Sequence, residues 1–310
     1  NFLTQLSNLL YAPFALPALL VFAGGYLTYK TGLVQVRHFG KAAREALGGI
    51  FGEAKKGAEG TITSFQALST ALASTVGNGN IGGVATAIVV GGPGAIFWMW
   101  VTAAVGMATK YSEAVLGVHY RVKTEKGELA SGPMYYITNG LSGKSYAKPL
   151  AYMFCVFGAA TAIFGTGNMA QSNTIAQTFM QAAKQNFNIE VSPLVPGMLI
   201  TLACGLVLLG GIRRIASVSA KIVPTMIVVY LVMGLIYVLM NLGAIPGVLG
   251  LIISNAFTPA AAAGGFIGAG VSQAIAAGVS RGVLSNEAGL GSAPIAHGIA
   301  KVEQPSQQGL

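Results

Sequence analysis

Charge is scarce along this chain. Only 9% of its 310 residues are charged, against about 25% in a typical soluble domain. So few charges cannot clothe a water-facing surface of this size, which excludes an ordinary soluble protein. Cysteine is nearly absent too. Cys155 and Cys204 both lie in apolar stretches, which excludes a disulfide framework and gives no metal-ligand spacing. The histidines are His38, His119 and His297, far apart and without the spacing of a metal site or a catalytic triad. Nothing resembles an activated nucleophile or an acid–base pair. The pattern therefore speaks against an enzyme, and no cofactor is expected.

What the chain has instead is apolar length and glycine. Hydrophobic residues make up 53%, mean hydropathy is +0.65, and several runs reach the ~20 residues that cross a bilayer. The expected class is an all-α integral membrane protein. Seven membrane segments can be read, at about 12–30, 66–90, 94–118, 149–182, 194–210, 217–242 and 265–284. A basic amphipathic stretch, 36–65, lies between the first two, and an uncharged stretch, 243–264, has room for a short half-helix. The first residue is Asn1 and no cleavable signal is evident, so the sequence reads as trimmed at both ends.

The net charge of +9 is a topological signal. Alternating the seven segments gathers 16 of the 18 basic residues on one side. The positive-inside rule puts those loops in the cytoplasm and the N-terminus outside. The same bias accounts for the charge without nucleic acid. Lys110 and Glu113, at i and i+3 near the inner end of the third segment, are expected to pair. Phe97, Trp98 and Trp100 read as an aromatic belt at the outer interface.

The second segment contains "STVGNGNIGG", residues 74–83. A helix disfavours glycine by about 1 kcal/mol relative to alanine, and hydrocarbon disfavours unpaired amides by several kcal/mol. Small residues for close helix packing would explain the glycines, but not Asn78 and Asn80, which need partners. A discontinuous helix explains both, because irregular backbone persists at membrane depth where it is buried or lines a wet cavity. The seventh segment is similarly interrupted by Gly268, Gly270, Ser272, Gln273, Gly278 and Ser280. Two glycine-interrupted segments at matching positions of two halves point to a transporter's binding site. Counted from the second segment, the interruptions fall at the first and sixth positions, as in a five-plus-five inverted repeat. On that count the second half stops after its first helix.

Four stretches then carry a resemblance: "GGPGAIFWMWVTAAVG" from Gly91, "TVGNGNIGGVATA", "GNMAQSN" and "SNEAGLGSAPIAH". Together they resemble the alanine/glycine:cation symporter family, and the likeness covers essentially the whole chain. It implies a leucine-transporter-like 5+5 inverted repeat with one extra N-terminal helix, truncated in the second repeat. The implied units are a peripheral helix, 1–35; the cytoplasmic segment, 36–65; a first five-helix repeat, 66–242; and an external half-helix with the discontinuous helix of the incomplete repeat, 243–310. The implied activity is symport of a small neutral amino acid, alanine or glycine, with sodium or protons. Sodium would be a co-transported ligand and the cell membrane the location.

By likeness to the leucine-transporter break, the amides of Asn78 and Gly79 would hold the substrate carboxylate. Asn78 stands where the family often has threonine. The Thr75 carbonyl and the Asn80 side chain would face one cation, and the carbonyls of Ala73 and Val76 a second. Gln171, in "GTGNMAQSN", sits at membrane depth and would bind the substrate amine or carboxylate. Its alternative is an interhelical hydrogen bond worth ~0.6 kcal/mol. Gln273, Ile275 and Gly278 would wall the pocket and Phe164 would cap it, unless Phe164 only packs. The rival functions are transport of another small neutral amino acid and passive channelling, the latter without any visible filter pattern.

Overall fold

The computed structural model describes residues 16–51, 59–164, 166–257 and 271–310. The elements in order are α1 (Leu16–Lys30), α2 (Val34–Arg37), α3 (Phe39–Phe51), α4 (Ser64–Thr75), α5 (Asn78–Gly91) and α6 (Gly94–His119). A small antiparallel hairpin follows, β1 (Val122–Lys123) and β2 (Leu129–Ala130). Then come α7 (Pro133–Gly140), α8 (Ala147–Phe164), α9 (Thr166–Phe187), α10 (Leu194–Leu208), α11 (Gly211–Met240), α12 (Ile245–Phe257), α13 (Val271–Asn286), α14 (Ala293–His297) and α15 (Pro305–Gly309). The fold is all-α in substance. The expected fourth segment falls on α8 and α9, and the uncharged stretch after 243 does hold a half-length helix, α12.

Lipid is the solvent that suits this surface. α11 is 30 residues long and apolar enough to cross a membrane by itself. Its consecutive Leu231, Val232 and Met233 are 61%, 50% and 66% exposed, so this part of the helix is apolar on every side. α10 likewise exposes Leu194, Met198 and Leu202. In water such an array would be a large unpartnered apolar patch.

The central post is α6, whose 26 residues extend about 39 Å at 1.5 Å each. α13 lies against it along a seam of small residues. A Cβ on Gly278 would run into the Ala95 carbonyl and the Trp98 Cβ, one on Gly282 would lie 3.1 Å from the Thr102 Cβ, and Gly106 faces the Ala288 Cβ. Further along, Gly117 abuts Pro294. The two chains therefore run in parallel. Trp98 serves this packing rather than only an interface belt. Its Nε1–H donates to the Ala256 carbonyl at 3.2 Å, and its ring meets Phe97 and Phe257 edge-on.

The seam also shows that the chain opens out beyond the end of α13. From 288 to 294 the chain advances six residues while α6 advances eleven, from 106 to 117. Eleven helical residues rise about 16 Å and six only about 9 Å, so the 288–294 stretch has to be extended. The backbone agrees: α13 ends at Asn286 and α14 begins at Ala293, with Glu287, Gly289 and Gly291 at φ 52, 89 and 77 between them. This extended link lies beyond the stretch in which the sequence places the second interruption. Gly278 and Ser280 lie inside a continuous α13, where the smallness of Gly278 is used for contact with α6. Gly268 and Gly270 lie outside the described residues.

Candidate functional site

The first interruption follows from its caps. α4 starts with a reciprocal box: Gln66 N–H donates to Thr63 Oγ1 at 3.1 Å, and Thr63 N–H donates to Gln66 Oε1 at 3.0 Å. It ends at Thr75. Val76 and Gly77 are extended, at φ −91 and −170, and α5 restarts at Asn78. A restarted helix leaves its first amides without intrahelical acceptors. The Gly77 N–H is met by Asn80 Oδ1 at 3.0 Å. Asn78 and Gly79 contribute the next amides at the positive end of α5, a place that favours an anion.

Space exists beside these amides. A Cβ added at Gly79 would meet nothing within 4 Å. Gln171 of α9 reaches the same place, with its Nε2 only 3.3 Å from where a Gly77 Cβ would stand. The structure thus brings Gln171 to the break, 94 residues away in sequence (171 minus 77). The side chains of Asn78, Phe164 and Gln273 lie outside the described residues. Ile275 is half-buried on α13, and Gly278 faces α6.

The Asn80 side chain is already engaged. Besides its bond to Gly77, its Nδ2 donates to Ser285 Oγ in the last turn of α13, at 2.8 Å. An amide oxygen has two lone pairs, so Oδ1 retains capacity for a cation while capping. Thr75 Oγ1 donates to the Ala71 carbonyl at 2.9 Å. Ala73 is exposed, next to Ser74. Ser74 Oγ lies 3.0 Å from Glu287 Oε2, and Ser292 Oγ donates to the same oxygen at 2.8 Å. The first interruption is therefore tied to the end of α13 and the link that follows it, through Ser285 and through Glu287. Glu287 is not among the site residues that the sequence singles out. A carboxylate set between small residues in "SNEAGLGS" was the available signal.

Glu113 of α6 also turns to the link between α13 and α14. It is buried, and the Gly291 N–H donates to its Oε1 at 2.9 Å. That backbone bond, rather than a close ion pair with Lys110, is its described contact. Lys110 instead lines a cavity of about 810 Å³. The cavity reaches Thr75, Val76 and Asn80 at one end and His297, Lys301 and Gln308 at the other. It therefore joins the break to the basic side of the molecule.

That side is closed by the chain's last described segment. Lys301 N–H donates to the Ile62 carbonyl at 2.8 Å, and Thr61 N–H to the Ile299 carbonyl at 2.7 Å. Arg121 Nη1 donates to the carbonyls of Gly298 and Ala300, and its Nη2 to the Glu59 carbonyl. Glu59 pairs with Lys123 at 2.7 Å. That hydrogen bond and charge, with a smaller effect of Arg121, hold the exposed Glu59 carboxyl below its usual value. Under the clamp, Gln308 Nε2 lies 2.7 Å from His297 Nδ1.

All of residues 1–310 match the model of the sodium:alanine symporter family. The chain is 47% identical to a transporter of Haemophilus influenzae over 296 residues, covering 95% of this chain and 62% of that protein. It is 45% identical over 310 residues to the sodium/alanine symporter AgcS of Methanococcus maripaludis, covering 100% of this chain and 65% of that one. It is 37% identical over 305 residues to the probable sodium/glutamine symporter GlnT of Bacillus subtilis, covering 98% of this chain and 59% of that one. The chain thus spans about three-fifths of the length of these relatives.

Proposed function

This chain belongs to the sodium:alanine symporter family, and from that premise we propose that it forms the solute-binding part of a symporter for a small neutral amino acid. Alanine or glycine is the preferred substrate, coupled to sodium or protons. The observation that carries the reading is the interruption at Val76–Gly77, with open space at Gly79 and the Gln171 amide against it.

The site would work on a zwitterion as follows. The carboxylate meets the free amides of Asn78 and Gly79, where the positive end of α5 adds its field. Gln171 binds the other polar end or the second carboxylate oxygen. A cation sits beside the carboxylate on the Thr75 carbonyl and Asn80 Oδ1. The carbonyls of Ala73 and Val76 contribute to a second cation position. Placing positive charge next to the carboxylate makes solute and ion bind better together than apart, and linkage makes that preference mutual. Ile275 belongs to the wall of this pocket, and Gln273 and Phe164 are assigned there from the family likeness alone.

The helix breaks favour alternating access. The inner pieces, α4 and α14, are each joined to their outer partners by a few residues without helical bonds. They can tilt with little cost in helix structure while α6 stays as the post. The family likeness and the two interruptions support a five-plus-five inverted repeat. The basic loops support a multi-pass cell-membrane protein with that side in the cytoplasm.

The test is uptake of labelled alanine into proteoliposomes carrying the intact gene product. Accumulation driven by an inward sodium or proton gradient supports symport. Uptake that only equilibrates, whatever the gradient, supports a passive facilitator. Competition by glycine and glutamine ranks the substrates, since one relative bears a glutamine symporter's name.

A further inference from the structure

Glu113 is buried, polar and absent from the scheme above. It projects from the last third of the central post to the segment that links α13 to α14. Gly291 N–H donates to Oε1 at 2.9 Å, and the Gly289 amide also faces the carboxylate. The other oxygen, Oε2, is buried without a hydrogen-bond partner among the described residues. Gly289 and Gly291 both have positive φ, which turns their amides to one side, as in a backbone nest for an anion. A carboxylate of the protein's own occupies this nest.

The alternative state of the segment makes the contact meaningful. Residues 287–292 could add almost two turns to α13, each amide then bonding the carbonyl four residues back. Helix is the resting preference of a chain in a dry environment, because every unmet amide is expensive there. Keeping the segment extended requires an outside acceptor for the amides released, and Glu113 supplies it. The extension in turn sets Glu287 between Ser74 and Ser292 and brings Ser285 to Asn80. The separation of the two interrupted helices therefore depends on a residue that touches neither solute nor ion.

We propose that Glu113 is a positioning residue that holds the link between α13 and α14 extended by accepting the Gly291 amide, so that the segment stays facing the break at Val76–Gly77. Its importance for transport rests on the functional reading above, whereas its structural action does not.

The experiment compares Glu113→Gln, Glu113→Asp and Glu113→Leu in the intact gene product, reconstituted in liposomes. Hydrogen exchange of the 287–292 segment is read beside KM and kcat for sodium-driven alanine uptake. Gln keeps an acceptor at the same reach and should hold exchange and KM within about threefold of the parent. Leu has similar bulk and no acceptor. Loss of a hydrogen bond to a charged group costs about 1.5–3 kcal/mol, so its exchange rate at Gly289 and Gly291 should change by about 10- to 100-fold. KM should rise by a similar factor with kcat less affected. Asp keeps the charge but draws it back by about one C–C bond, 1.5 Å, and should resemble Leu. If Leu yields no folded protein, the Asp and Gln variants decide. Parent-like exchange in Asp or Leu would overturn the proposal, as would Gln behaving like Leu. Exchange that follows the expected order in a protein that carries no alanine would support the positioning role and sink the symport reading.

Discussion

Two side chains at the first interruption make separable predictions. Gln171 reaches Gly77 across more than ninety residues of chain. Replacing it with alanine removes one polar partner of the solute, so alanine affinity should fall by about tenfold, the effect of about 1.4 kcal/mol. Equilibrium binding of labelled alanine measures this, and unchanged affinity would remove Gln171 from the site. Asn80 both caps Gly77 and bonds Ser285. Asn80→Ala should raise the sodium concentration for half-maximal uptake by about tenfold, whereas Ser285→Ala, which spares Oδ1, should change it by less than about threefold. Equal effects from both would show that the link to α13, not cation contact, is what matters. Asn80 was legible as a site residue because an amide inside an apolar run demands a partner. Its actual partner was not legible, since Ser285 is 205 positions away.

Glycine on these elements has two uses that substitution tells apart. Gly278 lies against backbone and the Trp98 Cβ. An alanine there must push α13 from α6, and overpacking of this kind costs about 1–3 kcal/mol. Gly278→Ala should therefore lower thermal stability in detergent. Gly79 opens on empty space at the second position of α5, where alanine is the better helix former by up to about 1 kcal/mol. Gly79→Ala should leave stability equal or slightly higher and raise KM for alanine, because the new methyl enters the solute's room. A fall in stability with unchanged KM would mean that the space is a packing contact and not a pocket. The same distinction applies along the seventh segment. Gly278 and Ser280 look like breakers, yet small residues also permit close contact. Only the run of helix on either side shows which use applies.

At the scale of the whole molecule, the last described segment clamps the basic side. Arg121 binds carbonyls from two distant stretches, Glu59 and Gly298–Ala300. Arg121→Ala should loosen that closure and cost about 1.5–3 kcal/mol for a charge-assisted bond lost, seen as a lower midpoint of thermal unfolding. Acid should weaken the same corner. The Glu59 carboxyl is held below its usual value of 4.5 by Lys123, so its contribution is complete above that value. It fades as pH falls through the lower folded-state value. Glu59 is exposed, so the effect is small and salt-screened. Glu59→Gln should remove this part of the acid sensitivity, and an unaltered stability profile between about pH 3 and 5 would deny the pair any role. The chain by itself determined the membrane habitat, the approximate spans, the basic side and the first interruption. Each of these depends on composition or on neighbours a few residues away. The tertiary structure decided the extended link between α13 and α14, the partnership of Glu113 with Gly291, and the meeting of Ser74, Glu287 and Ser292. Those depend on which helix lies alongside which, and a carboxylate finds its amides only once α13 has been laid down along α6.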